Sequence, residues 1–289
     1  MRLHAIGAGP LVVKIAGLAG GVRLYREEME EAARAGFRVA ALDTAGDRRD
    51  DPAPGRLTWD SMADEVFQAI ERLGEERAIL WGTSFGCLVA LAAAARRPER
   101  VAALLLCHPP DPGSRPRAYL GLSDWAAGRP DPDAVIRKMF CFGFALLAGW
   151  EFLYPAALRR SRFLMREALD ARTPARTIAD KIRLLWGEAP GLPSPEAAIA
   201  SAIVAGAWDT ITPPRLARDL AERMPGCRLR ILACSGHAGA FSRPRGYGKI
   251  VVEELSRLNK NPSPRRGGGD EWFEVDAPSA PYGQDPEAS

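Results

Sequence analysis

The chain has 289 residues, 47% of them hydrophobic, enough for one large domain with an insertion. Its formal net charge is +3, with basic and acidic residues interleaved, which excludes the one-signed field that a nucleic acid or acidic membrane partner needs. Five scattered cysteines, Cys87, Cys107, Cys141, Cys227 and Cys234, form no Cys-x-x-Cys pair and so suggest neither a disulfide framework nor a zinc site.

The opening Met-Arg-Leu-His-Ala-Ile-Gly has no apolar core of signal-peptide length, and the longest apolar run, 139–150, is too short to span a bilayer. A cytoplasmic enzyme is the expectation. Residues 2–6 supply at most one strand. Leu11–Ile15 reads as a buried strand, and the glycine-rich Ala16-Gly17-Leu18-Ala19-Gly20-Gly21 follows it. A phosphate loop needs Lys-Ser/Thr after such glycines, whereas Val22-Arg23-Leu24 follows here. Residues 37–42 read as the next strand, ending in Asp43-Thr44-Ala45-Gly46.

Residues 77–91 run from an apolar strand through Gly82-Thr83-Ser84-Phe85-Gly86 into an alanine-rich helix that ends at Arg96-Arg97-Pro98. A strand that turns directly into a helix passes through a tight corner, and the hydroxyl of Ser84 is pushed out above the sheet edge. Gly82 and Gly86 are small because strand and helix nearly touch there, and the helix aims its positive end at whatever Ser84 attacks. A further strand, Val101–Cys107, ends in His108-Pro109-Pro110-Asp111. Cys87 and Cys107 read as small core residues.

Strands and helices alternate up to this point, which predicts an α/β fold: a mostly parallel sheet with helices on both faces. From 111 to 195 the pattern is helical instead, at 117–126, 133–147, 150–169 and 177–186, with Asp131 or Asp133 placed to start the second helix. That is too long for a loop and reads as a helical cap. Within it, 139–154 is apolar on nearly every side, which suits either packing of the cap on the sheet or a hydrophobic substrate channel.

Strand character resumes at 199–205 and leads through Gly206-Ala207-Trp208 to Asp209, before a Pro-initiated helix. Residues 228–233 form the last core strand, followed by Cys234-Ser235-Gly236-His237-Ala238-Gly239. From Asn259 onward the chain is rich in Pro, Gly and charge and reads as a disordered tail, with 272–275 (Trp-Phe-Glu-Val) as a docking segment within it. The expected organisation is 1–110, core; 111–195, cap; 196–258, core; 259–289, tail.

A serine hydroxyl is a poor nucleophile until a base takes its proton. Of the three histidines, His4 lies at the N-terminus, His108 directly follows an apolar strand, and only His237 sits on a glycine-flanked loop with freedom to reach Ser84. The base needs an acid to hold its tautomer, and Asp209 stands between Ser84 and His237 in chain order, each at the end of a predicted strand. Asp111 is the competing acid, since one strand earlier still allows it to reach the histidine.

On these stretches the chain, over residues 9–258, resembles the α/β-hydrolase superfamily. The resemblance implies a Ser84-Asp209-His237 triad, backbone N–H donors from Leu18 and Phe85 for an oxyanion, a small-molecule substrate, and no metal or organic cofactor. It implies acyl-enzyme chemistry, and the apolar segment 139–154, read as a channel, points to an ester or thioester of a small to medium hydrophobic acid. The same triad also serves carbon-carbon bond hydrolases, acyltransferases and peptidases, and the fold also serves non-hydrolytic binding proteins. Ser84 separates the chain from the haloalkane dehalogenase and epoxide hydrolase branches, which place a carboxylate at this corner. Two departures stand out. Ala16-Gly17 replaces the usual His-Gly of the oxyanion loop, and so few residues precede Leu11 that the first antiparallel strand is shortened or absent.

Overall fold

The structure, a computed structural model, describes residues 2–18, 22–44, 55–111, 128–131, 134–135, 138, 174–187, 189–194, 199–239, 244–259 and 273–275. Its centre is an eight-stranded sheet: β1 (Arg2–Ile6), β2 (Leu11–Ile15), β3 (Arg38–Asp43), β4 (Ala78–Thr83), β5 (Val101–Cys107), β6 (Ala200–Gly206), β7 (Arg228–Leu232) and β8 (Phe273–Val275). The order across the sheet is β7-β6-β5-β4-β2-β3-β1-β8. Strands β2 to β7 run parallel, and β1 is antiparallel to both β3 and β8. The expected α/β architecture is what forms.

Parallel strands covered on both faces read as continuous apolar runs, and β2 and β4 are buried at every position. The covering helices are α1 (Arg26–Arg34), α2 (Trp59–Arg72), α3 (Phe85–Arg96), α4 (Ala175–Trp186), α5 (Pro214–Glu222) and α6 (Pro244–Leu258). One apolar layer joins α2, α3 and α5 to Val13, Leu80 and Leu104; the other joins α1 and α6 to Val12, Trp81 and Leu105. Helix α2 begins with a capping box in which Thr58 Oγ1 accepts from Ser61 N–H and Ser61 Oγ from Thr58 N–H, both at 3.0 Å.

From β2 the chain moves through α1 to β3 on one side, then returns through α2 to β4 on the other. The order therefore reverses between β2 and β4, and the carboxyl ends of those strands frame the crevice where open α/β sheets place their ligands. Residues 16–18 and Ser84 stand at that crevice.

Arg2–Ile6 is a single strand, and the place beyond it is filled from the other end of the chain. Phe273–Val275 pairs with β1 in the register Leu3 with Val275, His4 with Glu274 and Ala5 with Phe273. These residues lie inside the docking segment expected within the tail and pair with β1 through one side of their backbone, as an edge strand.

Of the helices expected between 111 and 195, α4 matches the last. Asp131 Oδ1 accepts from Ala134 N–H at 3.0 Å, as a helix N-cap does, in agreement with a start at that aspartate. The described residues of this stretch contain no strand. The expected helices at 117–126 and 150–169 and the whole apolar segment 139–154 lie outside the described residues.

Candidate active site

The turn at Ser84 has the strain that its sequence predicts. Its φ of 53° and ψ of −121° lie where L-residues rarely go, and α3 starts at the next residue. Ser84 N–H donates to Cys107 O at 2.8 Å, tying the corner to β5. A Cβ on Gly82 would stand 2.6 Å from Gly86 O, and one on Gly86 would stand 2.6 Å from Ala16 O. No larger residue fits at either flank. The close approach also brings the glycine loop against the serine, since a Cβ on Gly17 would lie 3.3 Å from Ser84 Cβ.

Three other strand ends converge on this corner. In the sheet, Cys107 aligns with Thr83 and Val204 with Cys107, so the residues that follow β4, β5 and β6 emerge side by side. Trp208 N–H donates to Ser235 O at 3.0 Å and ties the loop after β6 to the loop after β7. Ser84 Oγ lies 3.1 Å from His237 Nε2, and His237 Nδ1 lies 2.8 Å from Asp209 Oδ2. A buried carboxylate accepts only, so His237 carries its proton on Nδ1 and leaves Nε2 free to accept from the serine hydroxyl. Ser84, His237 and Asp209 thus form one continuous hydrogen-bonded line.

Asp209 is almost fully buried, and both of its oxygens are occupied. Oδ1 accepts from the backbone N–H groups of Ile211 and Thr212 at 2.9 and 2.7 Å. Oδ2 accepts from Thr212 Oγ1 at 2.7 Å, from His237 Nδ1 and from His108 Nδ1 at 2.9 Å. Burial alone pushes the carboxyl up, but the charge interaction with His237 and the hydrogen bonds from His108 and His237 outweigh it and hold Asp209 well below the usual carboxylate range. It is ionised throughout the neutral range.

Asp111 is not in this group. Its carboxylate lies 3.6 Å from Arg223 and makes an ion pair there. Of the two aspartates, Asp209 is the one within hydrogen-bonding distance of His237. His4 is buried in β1, on the far side of β3 from the crevice. Thr212 was not singled out from the sequence, and His108 was weighed there only as a base. The available signal for His108 was its position at the end of a strand, which it shares with Ser84.

The two expected oxyanion donors are backbone groups. Phe85 N–H opens the first turn of α3, where the helix supplies no acceptor of its own. In the facing loop Gly17 N–H is already committed to Tyr25 Oη at 3.2 Å, and Leu18 follows it in the turn, half-buried. Tyr25 is held in turn beneath Lys14, whose Nζ lies 4.2 Å from the Tyr25 ring and 3.9 Å from the Trp81 ring and donates to Thr83 Oγ1. Burial pushes the Lys14 ammonium down and the charge of Glu28 opposes that. Above the corner, Trp59 stacks on Phe85 at 5.6 Å, and Lys181 of α4 lies 5.7 Å from the same ring while donating to Thr44 at 3.2 Å. The inserted stretch therefore reaches the residue beside Ser84.

His108, Asp209 and His237 also bring their potential ligand atoms within 4.8 Å of one another. Both Nδ1 atoms are spent on Asp209 Oδ2, so a cation would have to displace the hydrogen bonds that orient the group. Among the described residues, no helix is long and apolar enough to cross a membrane.

A model of the alpha/beta hydrolase fold family matches residues 10–244. The chain belongs to that family and is by that membership an α/β-type hydrolase. It is 26% identical over 261 residues to a protein of Cronobacter turicensis named "Putative carbamate hydrolase RutD", covering 88% of this chain and 93% of the relative. Among solved structures, an esterase from Thermogutta terrifontis superposes with a TM-score of 0.71 at 21% identity, covering 89% of this chain and 93% of the other. The enol-lactonase from Burkholderia xenovorans LB400 gives a TM-score of 0.71 at 20% identity, covering 88% and 96%. Those two likenesses concern the fold.

Proposed function

We propose that the chain is a serine hydrolase that forms an acyl-enzyme on an ester or thioester of a small to medium hydrophobic acid. The observation that carries this reading is the line from Ser84 Oγ through His237 to Asp209, with the serine on a strained corner at a helix N-terminus. His237 Nε2 takes the hydroxyl proton as Ser84 Oγ bonds to the substrate carbonyl carbon. The carbonyl oxygen gains the negative charge and is held by the N–H groups of Phe85 and Leu18. As the tetrahedral centre collapses, the bond to the leaving alcohol or thiol breaks and His237 delivers the proton to it. Water, deprotonated by the same nitrogen, attacks the acyl-enzyme, and the acid departs as the proton returns to Ser84 Oγ.

The hydrophobic acyl preference rests on the apolar segment 139–154 in the proposed cap, 111–195, whose last helix leans on Phe85. A second reading, carbamate hydrolysis, is favoured by the name of the relative that matches along most of its length. It uses the same attack on a carbonyl carbon.

A fluorophosphonate probe tests the nucleophile. It labels the wild-type protein and leaves folded Ser84→Ala unlabelled; equal labelling of both sinks the assignment. A panel of p-nitrophenyl esters of rising chain length, acyl thioesters and aryl carbamates then separates the two readings. Turnover that rises with acyl length supports the first, and turnover confined to carbamates supports the second.

A further inference from the structure

His108 is a buried ionisable group that the proposed acyl transfer leaves without a role. It lies 101 residues from Asp209 in sequence, yet its Nδ1 meets the same carboxylate oxygen as His237. Its own backbone is strained, with φ at 55°, and its N–H is fixed to Val204 O at 2.7 Å. The ring stacks on Tyr247 of α6 at 5.7 Å between centroids and stands edge-on to His237 at 5.5 Å. Nothing about this placement is loose.

We propose that His108 is a positioning residue, a second imidazole that holds the Asp209 carboxylate from behind and shares one of its oxygens with His237. This rests on the reading of Ser84, His237 and Asp209 given above. The chemistry of the ring supports it. His108 Nε2 is buried and has no hydrogen-bond partner among the described residues, so a second proton would be an unpaired buried donor. Burial disfavours the charged ring, although the hydrogen bond to Asp209 and its charge pull the other way. His108 is therefore a neutral donor, carrying its one proton on Nδ1 and giving it to Asp209.

A neutral donor on Oδ2 has two effects. It fixes the oxygen that orients His237, and it takes up part of the carboxylate charge that faces His237. The other groups facing the pair are Lys14 on β2, Cys107 on β5, Thr212 before α5 and Tyr247 on α6. Lys14 is the single cation among them, and removing His108 leaves it in place.

The test needs no known substrate. The rate of fluorophosphonate labelling is followed from about pH 5 to 9 in wild type, His108→Phe and His108→Asn, with Ser84→Ala as control. Phenylalanine keeps the stack on Tyr247 and removes the donor, whereas asparagine sets an N–H near the position of Nδ1 and tolerates positive φ. His108→Phe is expected to lower the plateau rate by roughly 10- to 100-fold and to move the acid limb up by about 0.5–1 pH unit. His108→Asn is expected to restore both to within a few-fold and a few tenths of a unit of wild type. An unmoved acid limb in His108→Phe, or an Asn variant as shifted as the Phe variant, overturns the proposal while Ser84-dependent labelling stands. Labelling that persists in Ser84→Ala overturns the underlying reading as well. If His108→Phe does not fold, His108→Ala carries the same expectation for the acid limb.

Discussion

The carboxyl ends of β4 and β5 make a natural pair. Each strand ends in a non-glycine residue with positive φ, Ser84 at 53° and His108 at 55°, and among the described residues no others share that backbone. The strands are neighbours, and Ser84 N–H reaches across to Cys107 O. Their surroundings differ. Ser84 is flanked by two glycines and feeds a helix, which leaves its hydroxyl open to the crevice; His108 is followed by two prolines and is fully buried. Strain of this kind costs about 1–3 kcal/mol per residue and persists only where the neighbours over-determine it. At β4 it lifts a hydroxyl toward the crevice and His237. At β5 it sets an imidazole against the carboxylate that His237 also meets.

The hardest blow to the comparison is struck at the oxygen that joins the two ends. Asp209→Asn keeps the shape but removes the acceptor that both imidazoles need, and kcat is expected to fall on the order of 10³- to 10⁴-fold in ester hydrolysis. A loss under tenfold would mean that another acid serves His237. Gly86→Ala tests whether the β4 corner depends on close approach: the new methyl meets Ala16 O at 2.6 Å, and the urea midpoint is expected to drop by an amount equal to about 2–3 kcal/mol.

The β5 end has its own signature in the pH dependence of stability. Burial lowers the folded-state value of His108 beneath its ordinary 6.5, so below that pH the unfolded chain binds a proton that the folded chain refuses. Stability is expected to fall as pH drops below about 6.5 and to fall again below about 4, where unfolded Asp209 protonates while the folded, depressed carboxyl does not. His108→Phe removes the first contribution, and urea titrations at pH 7 and 5 should show a smaller difference than in wild type. The smallest effect is expected at Tyr25→Phe, which strips the acceptor from Gly17 N–H. A loss of one hydrogen bond, about 1 kcal/mol, predicts a fall in kcat of roughly fivefold with KM little changed.

Much of the site was legible before any coordinates. The elbow advertises itself because strand, corner and helix are contiguous and Gly82 answers to contacts within five residues, although Gly86 answers to the distant backbone of Ile15 and Ala16. The order of Ser84, Asp209 and His237, each after a strand, is readable in the chain, and the structure brings the three within hydrogen-bonding distance. Asp111 remained a rival because its sequence setting, just past a strand, is as good; its ion pair with Arg223 is a contact between distant segments that the chain order does not announce. His108 was set aside because it lacks a glycine loop, a sound criterion for a base that must reach the serine and no criterion for a buried donor. The tail is a similar case. Phe273–Val275 has little to recommend it alone, and becomes a strand because β1 offers an unpaired edge.

What the chain determined by itself was the alternation of strands and helices, the strained corner at Ser84, and the order of Ser84, Asp209 and His237 at strand ends, since each follows from local spacing and the burial of apolar runs. What only the tertiary structure decided was which imidazoles meet Asp209 and on which oxygen. That depends on the parallel register of β5 with β6 and β6 with β7, which brings His108, Asp209 and His237 together from loops separated by entire helices. Hydrogen bonds of a few ångströms discriminate at distances that no sequence period encodes, so the partners of a buried carboxylate become visible when the sheet is assembled.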